Sequence, residues 1–292
     1  MSKSSRHHFI PKFYLENFAN SDNHFFVYDK EKPNKIFRKS PKQVCYESNR
    51  NSFFGKDNIP SPYLEEKTYS HFDNIHAPIF KNLRFDIVDE NYWTKKNVQT
   101  IELFIPFLFW RNPVNDHLFE NFINQLNKLE DLNLVIYDGS TNKIIDDVEF
   151  HRKILDNSDF KKGARINTAI ETFNHKTDRF KELEWRVYDY NGFGNFLTSD
   201  NPLLFKKPFM ELSDLRGDLI FPISSSRSFI RIDENRKNSF PQPGLQNFLM
   251  IKNAQRFVIS GDKEYLELII SEYEKLLKIG SLDNLLKNLW EF

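Results

Sequence analysis

The segment RHHFIPKFYLENF concentrates side chains that could do acid–base chemistry or bind an anion. These candidates are Arg6, His7, His8, Lys12 and Tyr14, which lie within nine residues. His8 precedes Pro11, which suits the first turn of a helix, and the free N–H groups and dipole of a helix N-terminus favour anions. We therefore expect His8 to act beside a phosphate or carboxylate that Arg6 and Lys12 help to hold. Helix capping or packing by His8 is the structural alternative.

The two neighbouring histidines are poorly placed to share a metal ion. Successive side chains of an extended segment point to opposite faces, so we expect His8 in the site and His7 at its edge. His71 and His76 are five residues apart, whereas ligands on one helical face recur at three or four. The sequence contains no HExxH, CxxC, GxSxG, Walker or dinucleotide-binding motif. No zinc site is expected, and metal ligands stay unassigned.

The segment LTSDNP, residues 197–202, is the second candidate. It contributes Thr198, Ser199, Asp200 and Asn201 directly after a predicted strand, where loops commonly present binding groups. Asp200 could orient a histidine, hold a cation such as magnesium or accept a proton. The same residue types also form an ordinary Asx turn, so the sequence favours neither interpretation.

Arg111 ends a strongly apolar segment, IELFIPFLFW, and is the third candidate. An arginine at this position either caps the helix and pairs with a carboxylate, or reaches a pocket as a fork for anions. Glu102 lies nine residues earlier on a similar helical face. We therefore expect a buried pair between Glu102 and Arg111, with anion binding as the alternative.

Composition limits the class of protein. The 292 residues include 41 basic and 41 acidic side chains, and this neutrality argues against a protein that coats DNA. Residues 1–42 carry nine Lys or Arg against four acids, which can favour an anionic partner. Cys45 is the single cysteine, no apolar leader precedes the first charges, and the apolar run is too short to span a bilayer. We expect a cytoplasmic setting and no membrane association.

Hydrophobic periodicity predicts the elements that must position these residues. Helices are predicted over about 11–19, 61–83, 95–111, 114–130, 163–182, 243–256, 262–279 and 281–290. Alternation predicts a hairpin over 24–40 and strands in 184–190, 196–205 and 218–232, with a turn at NGFGN. Gly280 suits the position just after a helix.

These elements predict an α+β fold. The middle and C-terminus are mostly helical, and a small, mainly antiparallel sheet combines the N-terminal hairpin with strands around 185–232. We expect a single domain over 1–292, because no repeat or long linker interrupts it. Its parts are a hairpin region (1–60), a helical region (61–182), a β-rich region (183–235) and C-terminal helices (243–290).

Several segments together resemble one family. RHHFIPKFYLENFA, LEEKTYSHFDNIHAPIFKNL, IELFIPFLFWRNP, FLTSDNP, LIFPISS and NFLMIKNAQRFVIS follow the order and spacing of the domain of unknown function 4238. That family is widespread in bacteria and has no assigned activity. The resemblance implies that His8, Pro11, Tyr14, Arg111 and residues 198–202 belong to one pattern. Lys12 stands where the family often has Gln or Arg.

The first functional hypothesis is a hydrolase for a phosphate-containing substrate, such as a nuclease or nucleotide hydrolase. His8 would act as general acid or base, Asp200 would orient it or hold a divalent cation, and Arg111 or Lys12 would stabilise charge on the phosphate. The other candidates would bind the substrate, which could be a nucleic acid. An effector in bacterial defence is compatible with this chemistry.

The alternative is a non-catalytic module that binds a ligand or protein. His8 and the segment 198–202 would then form a structural latch between the two ends of the fold. Exposure separates the hypotheses, because a latch is buried and fully hydrogen-bonded, whereas a site opens on a pocket with free polar groups.

Overall fold

β-Strands occur near both ends of the chain and in the region before the last helices. The computed structural model describes residues 5–33, 35–55, 57, 59–85, 89–174, 183–190, 195–233 and 242–290. The strands are β1 (Arg6–His8), β2 (Phe25–Asp29), β3 (Ile36–Lys39), β4 (Tyr46–Ser48), β5 (Phe53–Phe54), β6 (Pro60–Ser61), β7 (Leu183–Asp189), β8 (Thr198–Ser199), β9 (Leu204–Phe205), β10 (Leu219–Pro222), β11 (Arg227–Asp233) and β12 (Phe257–Ser260).

Strands far apart in sequence pair in one antiparallel sheet. Its order is β3-β2-β12-β8, so the N-terminal hairpin joins a strand near the C-terminus and the two residues of β8. A second antiparallel sheet has the order β7-β11-β10-β9, and β1 pairs with β4. The predicted α+β class is confirmed. The strands around 185–232, however, divide between two sheets instead of joining the hairpin in one.

Helices follow the first strands and close the chain. They are α1 (Lys12–Leu15), α2 (Ser70–Arg84), α3 (Lys95–Arg111), α4 (Asp116–Gln125), α5 (Val148–Leu155), α6 (Ser158–Asn174), α7 (Pro243–Asn253), α8 (Lys263–Lys278) and α9 (Leu282–Lys287). A π-helical turn, Leu64–Tyr69, leads directly into α2. No helix in the described ranges is both long and apolar enough to cross a bilayer.

Alternate side chains of β10 and β11 enter different hydrophobic cores. Phe221 and Phe229 belong to the core that α1 to α6 build, whereas Ile220 and Ile230 belong to the core with α7 and α8. This division follows from the two-residue period of a strand. The sheet therefore separates two groups of helices, and the candidate residues on α1 and α3 lie on the side of the first group.

Helix α3 ends where the sequence predicts, at Arg111. The Thr94 side chain caps its start by accepting a hydrogen bond from Asn97 N at 3.3 Å. Asn112 leaves the helical conformation at φ −78° and ψ 127°, as expected for the residue before Pro113. The apolar face of α3 packs against α6. Arg111, which is 4% exposed, therefore lies at the C-terminal end of a buried helix.

Several predicted boundaries differ from the structure. The helix expected over 114–130 is α4 and ends at Gln125, and neither α5 nor β12 was predicted. β12 is a strand because it pairs with β2 and β8, a long-range contact that local periodicity does not contain. Gly280 has φ +70°, as expected after α8. Residues 175–182 and 191–194 lie outside the described residues, and the single domain stays a prediction.

Candidate functional site

Arg111 is fixed by two carboxylates and an aromatic ring. Its Nη1 donates to Asp73 Oδ1 at 2.9 Å and Oδ2 at 3.2 Å, and its Nη2 donates to Glu65 Oε1 at 3.1 Å. Burial disfavours the charge, but Asp73 and Glu65 outweigh it and raise the pKa of Arg111. The expected pair with Glu102 is wrong, because Glu102 accepts a hydrogen bond from the indole of Trp185.

A π-helical turn brings Glu65 and Asp73 to the same guanidinium. Residues eight positions apart in a regular α-helix point about 80° away from each other. The i→i+5 bonds of the turn Leu64–Tyr69 reduce the rotation per residue and remove much of that offset. Tyr69, from the same turn, lies with its ring centroid 4.5 Å from Arg111 Cζ. Hydrophobic periodicity does not reveal this turn, since its residues also suit an α-helix.

A small cavity adjoins Arg111. Arg111 and His76 both line it, and its volume of about 10 Å³ is close to that of one water molecule. Arg111 Nε and His76 Nε2 are buried without a hydrogen-bond partner in the described part of the chain. Burial lowers the pKa of His76 to about 4, so its imidazole is neutral at neutral pH. This cavity is too small for a substrate.

His8 is buried and uncharged. Burial, assisted by the charges of Lys12 and Arg111, lowers its pKa to about 4. Its ring lies 5.5 Å from that of Tyr46 on the paired strand β4, and its Nε2 has no hydrogen-bond partner among the residues that the structure describes. A histidine this weakly basic is poorly matched to acid–base catalysis near neutral pH.

The remaining side chains of the opening segment lie in separate places. His7 is buried, and its Nδ1 accepts a hydrogen bond from Asn51 N at 2.9 Å. Asn51 Nδ2 in turn donates to Glu65 Oε2 at 2.7 Å, which connects His7 to the Arg111 network. Arg6 and Lys12 are exposed, and Arg6 Cζ lies 5.0 Å from the ring centroid of Tyr46.

Tyr14 joins the opening segment to the LTSDNP segment. Its hydroxyl lies 2.8 Å from Thr198 Oγ1 and donates to Pro222 O at 2.8 Å. Its ring stacks on Phe221, with centroids 5.3 Å apart and planes inclined by 11°. All these groups are buried. Tyr14 therefore fixes α1 to β8 and β10, and its hydroxyl does not face an open pocket.

Asp200 binds backbone amides. Its Oδ1 accepts from Gln255 N at 2.9 Å, and its Oδ2 accepts from Arg256 N at 2.8 Å and Phe257 N at 3.0 Å. Burial raises the pKa of Asp200, and these hydrogen bonds oppose the shift. Asn112, which follows Arg111 in the chain, donates a hydrogen bond from its Nδ2 to the backbone carbonyl of Asp200 at 2.7 Å.

Ser199 and Asn201 make local contacts of the same kind. Ser199 Oγ accepts from Asn201 N at 3.0 Å and contacts Met250 Sδ at 3.1 Å. Asn201 Nδ2 donates to Asn253 O at 3.2 Å. The structure thus brings the predicted segments together through Tyr14, Thr198, Asn112 and Asp200, in a closed and hydrogen-bonded junction.

A second cavity lies away from the residues that the sequence singled out. It has a volume of about 320 Å³, and we call it the charged cleft. Its lining consists of Arg50, Lys161, Lys162 and Arg165, the carboxylates Glu47, Asp116, Glu120 and Asp156, and Ser158. The basic cluster KKGAR at 161–165 was the available signal, but β4, the loop after it, α4 and the residue that follows α5 supply most of the other side chains.

Cations form the floor of the charged cleft and carboxylates form its rim. The four cationic side chains are 7–18% exposed, whereas the four carboxylate side chains are 37–54% exposed. Asp116 Oδ1 lies between two arginines, 2.6 Å from Arg50 Nη2 and 3.1 Å from Arg165 Nη2. Arg50 Nε also donates to Arg111 O at 3.2 Å, so the end of α3 orients this floor.

Arg165 is the least satisfied cation of the floor. Burial and the nearby charge of Arg50 lower its pKa, although Asp116 and Glu120 oppose the shift. Its Nε is buried and has no hydrogen-bond partner within the described ranges. Its guanidinium lies over Phe119, with Cζ 5.2 Å from the ring centroid. An anion in the cleft would supply the negative charge and acceptor atoms that this arginine lacks.

The donor set does not form a ready metal centre. No group of three or more His, Cys, Asp or Glu side chains in the described part of the chain could hold a metal ion. No curated protein and no solved structure matches the chain. The family model described as "Protein of unknown function (DUF4238)" matches residues 6–264 and therefore both the buried junction and the charged cleft. The chain belongs to this family, as its motifs led us to expect.

Proposed function

We propose that the protein binds a phosphate-containing ligand in the charged cleft. The observation that carries this proposal is the buried, incompletely paired Arg165 beside Arg50 on the floor of a 320 Å³ cavity. Guanidinium groups present planar donors that match phosphate oxygens, and charge-assisted hydrogen bonds are the strong ones. Lys161 and Lys162, from the same helix α6, add further donors on one side of the cleft.

The ligand has to compete with Asp116. This carboxylate holds Arg50 and Arg165 together in the free protein. A phosphate carries more negative charge than a carboxylate and can accept hydrogen bonds from both arginines at once. We therefore infer that ligand binding loosens Asp116 from Arg165 and leaves its bidentate contact with Arg50 in place.

Hydrolysis of the ligand, by a nuclease or nucleotide hydrolase activity with or without a divalent cation, is the further proposal that comes from the sequence. The contacts of Asp200 and the low pKa of His8 support structural roles for both residues. They favour the latch hypothesis for residues 198–202. In this latch the hydrogen-bond partner of Thr198 is Tyr14, where the hypothesis had placed His8. Ligand binding and a latch are compatible, because they use different parts of the molecule.

Calorimetric titration with inorganic phosphate and adenosine 5′-monophosphate tests the binding proposal. We expect Arg165→Gln to weaken binding by about tenfold or more, because a charged hydrogen bond is lost. Lys161→Gln, at a more exposed position, should weaken it by less. Lys153→Gln is the matched control, since Lys153 is 73% exposed and outside the cleft. Equal affinity of all variants, or no binding by folded wild-type protein, would refute the proposal.

Turnover is a separate measurement. Phosphate release from RNA, DNA and nucleotides is followed with magnesium, with manganese and with a chelator. Loss of turnover in a folded His8→Gln variant would support the catalytic role predicted for His8. Turnover that persists in both His8→Gln and Asp200→Asn would show that both residues have structural and not catalytic roles. Turnover that requires magnesium or manganese would show that a divalent cation binds together with the ligand.

A further inference from the structure

Every residue that lines the charged cleft has a charged or polar side chain. Its lining has four cations, four carboxylates and one serine, and no aromatic or aliphatic side chain among the residues that the structure describes. From this lining we infer that the ligand is a small polyol carrying a single phosphate, such as a sugar phosphate, and not a nucleotide recognised through its base. This inference rests on the proposed function, since it names the substrate class of the same cleft.

Base recognition would need a stacking surface that the cleft lacks. Proteins that hold nucleobases stack them on aromatic rings or guanidinium planes. Neither aromatic ring that contacts a floor cation lines the cleft. Phe119 is buried beneath Arg165, and Phe54, which lies 4.8 Å from Lys162 Nζ, is exposed outside the lining. The guanidinium of Arg165 already has the ring of Phe119 against one face, with Cζ 5.2 Å from the ring centroid. A base in the cleft would therefore meet charged groups and the aliphatic stems of lysine and arginine, and no aromatic ring of the lining.

The carboxylates of the rim suit hydroxyl groups. Glu120 Oε2 binds Lys161 Nζ at 2.5 Å and Glu47 Oε2 binds Arg50 Nη1 at 2.9 Å. In each case the second oxygen has no hydrogen bond within the described portion of the chain. A carboxylate accepts strong hydrogen bonds from hydroxyl groups. A phosphate on the floor would thus leave the rest of a polyol beside acceptors at the rim.

Charge and size limit the ligand to one phosphate. The lining carries equal numbers of cationic and anionic side chains, so each phosphate group after the first would add negative charge that no further cation of the lining offsets. A cavity of about 320 Å³ is at the small end of the range for ligand sites. It accommodates a monosaccharide phosphate and excludes a nucleic acid strand from its interior.

Titration with ribose 5-phosphate, adenosine 5′-monophosphate, inorganic phosphate and ribose tests this inference on the full chain. We expect ribose 5-phosphate to bind about tenfold tighter than inorganic phosphate, because the hydroxyl groups add charge-assisted hydrogen bonds. Adenosine 5′-monophosphate should gain nothing over ribose 5-phosphate, and ribose alone should not bind measurably.

A rim variant separates this inference from the proposed function. Glu120→Gln should reduce the ratio of the affinities for ribose 5-phosphate and inorganic phosphate, because the hydroxyl groups lose a charged acceptor while Lys161 loses its carboxylate partner. Glu149→Gln, an exposed carboxylate on α5, is the control. Tighter binding of adenosine 5′-monophosphate, or inorganic phosphate binding as tightly as ribose 5-phosphate, would overturn the polyol inference alone. Failure of every phosphate compound to bind would overturn the proposed function as well.

Discussion

Asp200 shows how one buried carboxylate organises the backbone around it. Its two oxygens collect the amides of residues 255–257, where helix α7 has ended and β12 begins. Each amide donates to a charged acceptor in a part-buried position, and such a hydrogen bond contributes about 1.5–3 kcal/mol. Asp200 therefore fixes the start of β12 in the sheet, and its carboxylate serves as a hydrogen-bond acceptor for the backbone.

We predict that Asp200→Asn destabilises the protein by about 3 kcal/mol. The new amide group would face backbone donors in place of a carboxylate oxygen and leave at least one of them unpaired. Urea denaturation at neutral pH measures this change. Asp283→Asn is the control, because Asp283 pairs with Lys252 on the surface and its substitution should change stability far less. Equal effects of the two substitutions would contradict the structural role of Asp200.

His76 gives a second prediction, for the dependence of stability on pH. Its pKa is about 4 in the folded protein and about 6.5 when unfolded. On acidification the unfolded chain takes up the proton first, so this histidine contributes a loss of stability as the pH falls from 6.5 towards 4. Between about pH 7 and pH 5 the loss is about 2 kcal/mol.

The variant His76→Leu should lose this part of the pH dependence. We expect its free energy of unfolding to fall less than that of the wild type between those two pH values. His71→Leu, at an exposed position of the same helix, should retain the full dependence. If the free energy of unfolding of His76→Leu fell with pH as steeply as that of the wild type, the imidazole of His76 would not be held neutral by burial.

At the scale of elements, the contact of Tyr14 with Thr198 joins two segments that are distant in the chain. Helix α1 has only four residues, so it depends on such contacts for its position. The hydroxyl pair and the carbonyl of Pro222 are buried between α1, β8 and β10. The junction thus ties the N-terminal segment to both large sheets.

A double-mutant cycle with Tyr14→Phe and Thr198→Val measures this junction. We expect each substitution to destabilise the protein and their coupling energy to be about 1 kcal/mol, as for a buried neutral hydrogen bond. Tyr137→Phe, which alters a 57% exposed tyrosine, should change stability little. Additive effects in the cycle would mean that the two hydroxyls do not interact in solution.

The sequence contained the local elements but not their long-range arrangement. The hairpin β2–β3 and helix α3 follow from alternation, helical periodicity and Pro113, which are local signals. β12 is defined by pairing with β2 and β8. The charged cleft combines residues from β4, the loop after it, α4, the end of the α5 segment and α6. No contiguous motif records such an assembly. The predicted segments 6–14 and 197–202 do meet, but through side chains whose polar groups are hydrogen-bonded and buried.

At the scale of the whole molecule, the two hydrophobic cores share the same strands. Alternate residues of β10 and β11 enter the core with α3 and the core with α7, so neither core can lose its packing without disturbing the other. The sheet of β2 and β12 likewise combines residues from both ends of the chain. This sharing favours a single cooperative unit.

We therefore predict one unfolding transition. Scanning calorimetry should give equal calorimetric and van't Hoff enthalpies, as for a two-state unit. Fluorescence and circular dichroism should report the same midpoint. Two separated transitions, or a protease-resistant fragment that lacks either end of the chain, would contradict the prediction of a single domain.

The π-helical turn before α2 also accounts for the length of this part of the chain. Removing one exposed residue from it, such as Lys67, would allow an ordinary α-helix to form with little change in composition. Glu65 and Asp73 would then be seven positions apart, and an ordinary α-helix places such residues within about 20° of the same face. Both carboxylates could still reach Arg111. Removal of two residues would instead turn Glu65 by about 120° from Asp73 and leave Arg111 with one carboxylate. The turn is therefore the form in which this helix absorbs one extra residue, and the segment should tolerate the loss of one residue but not of two.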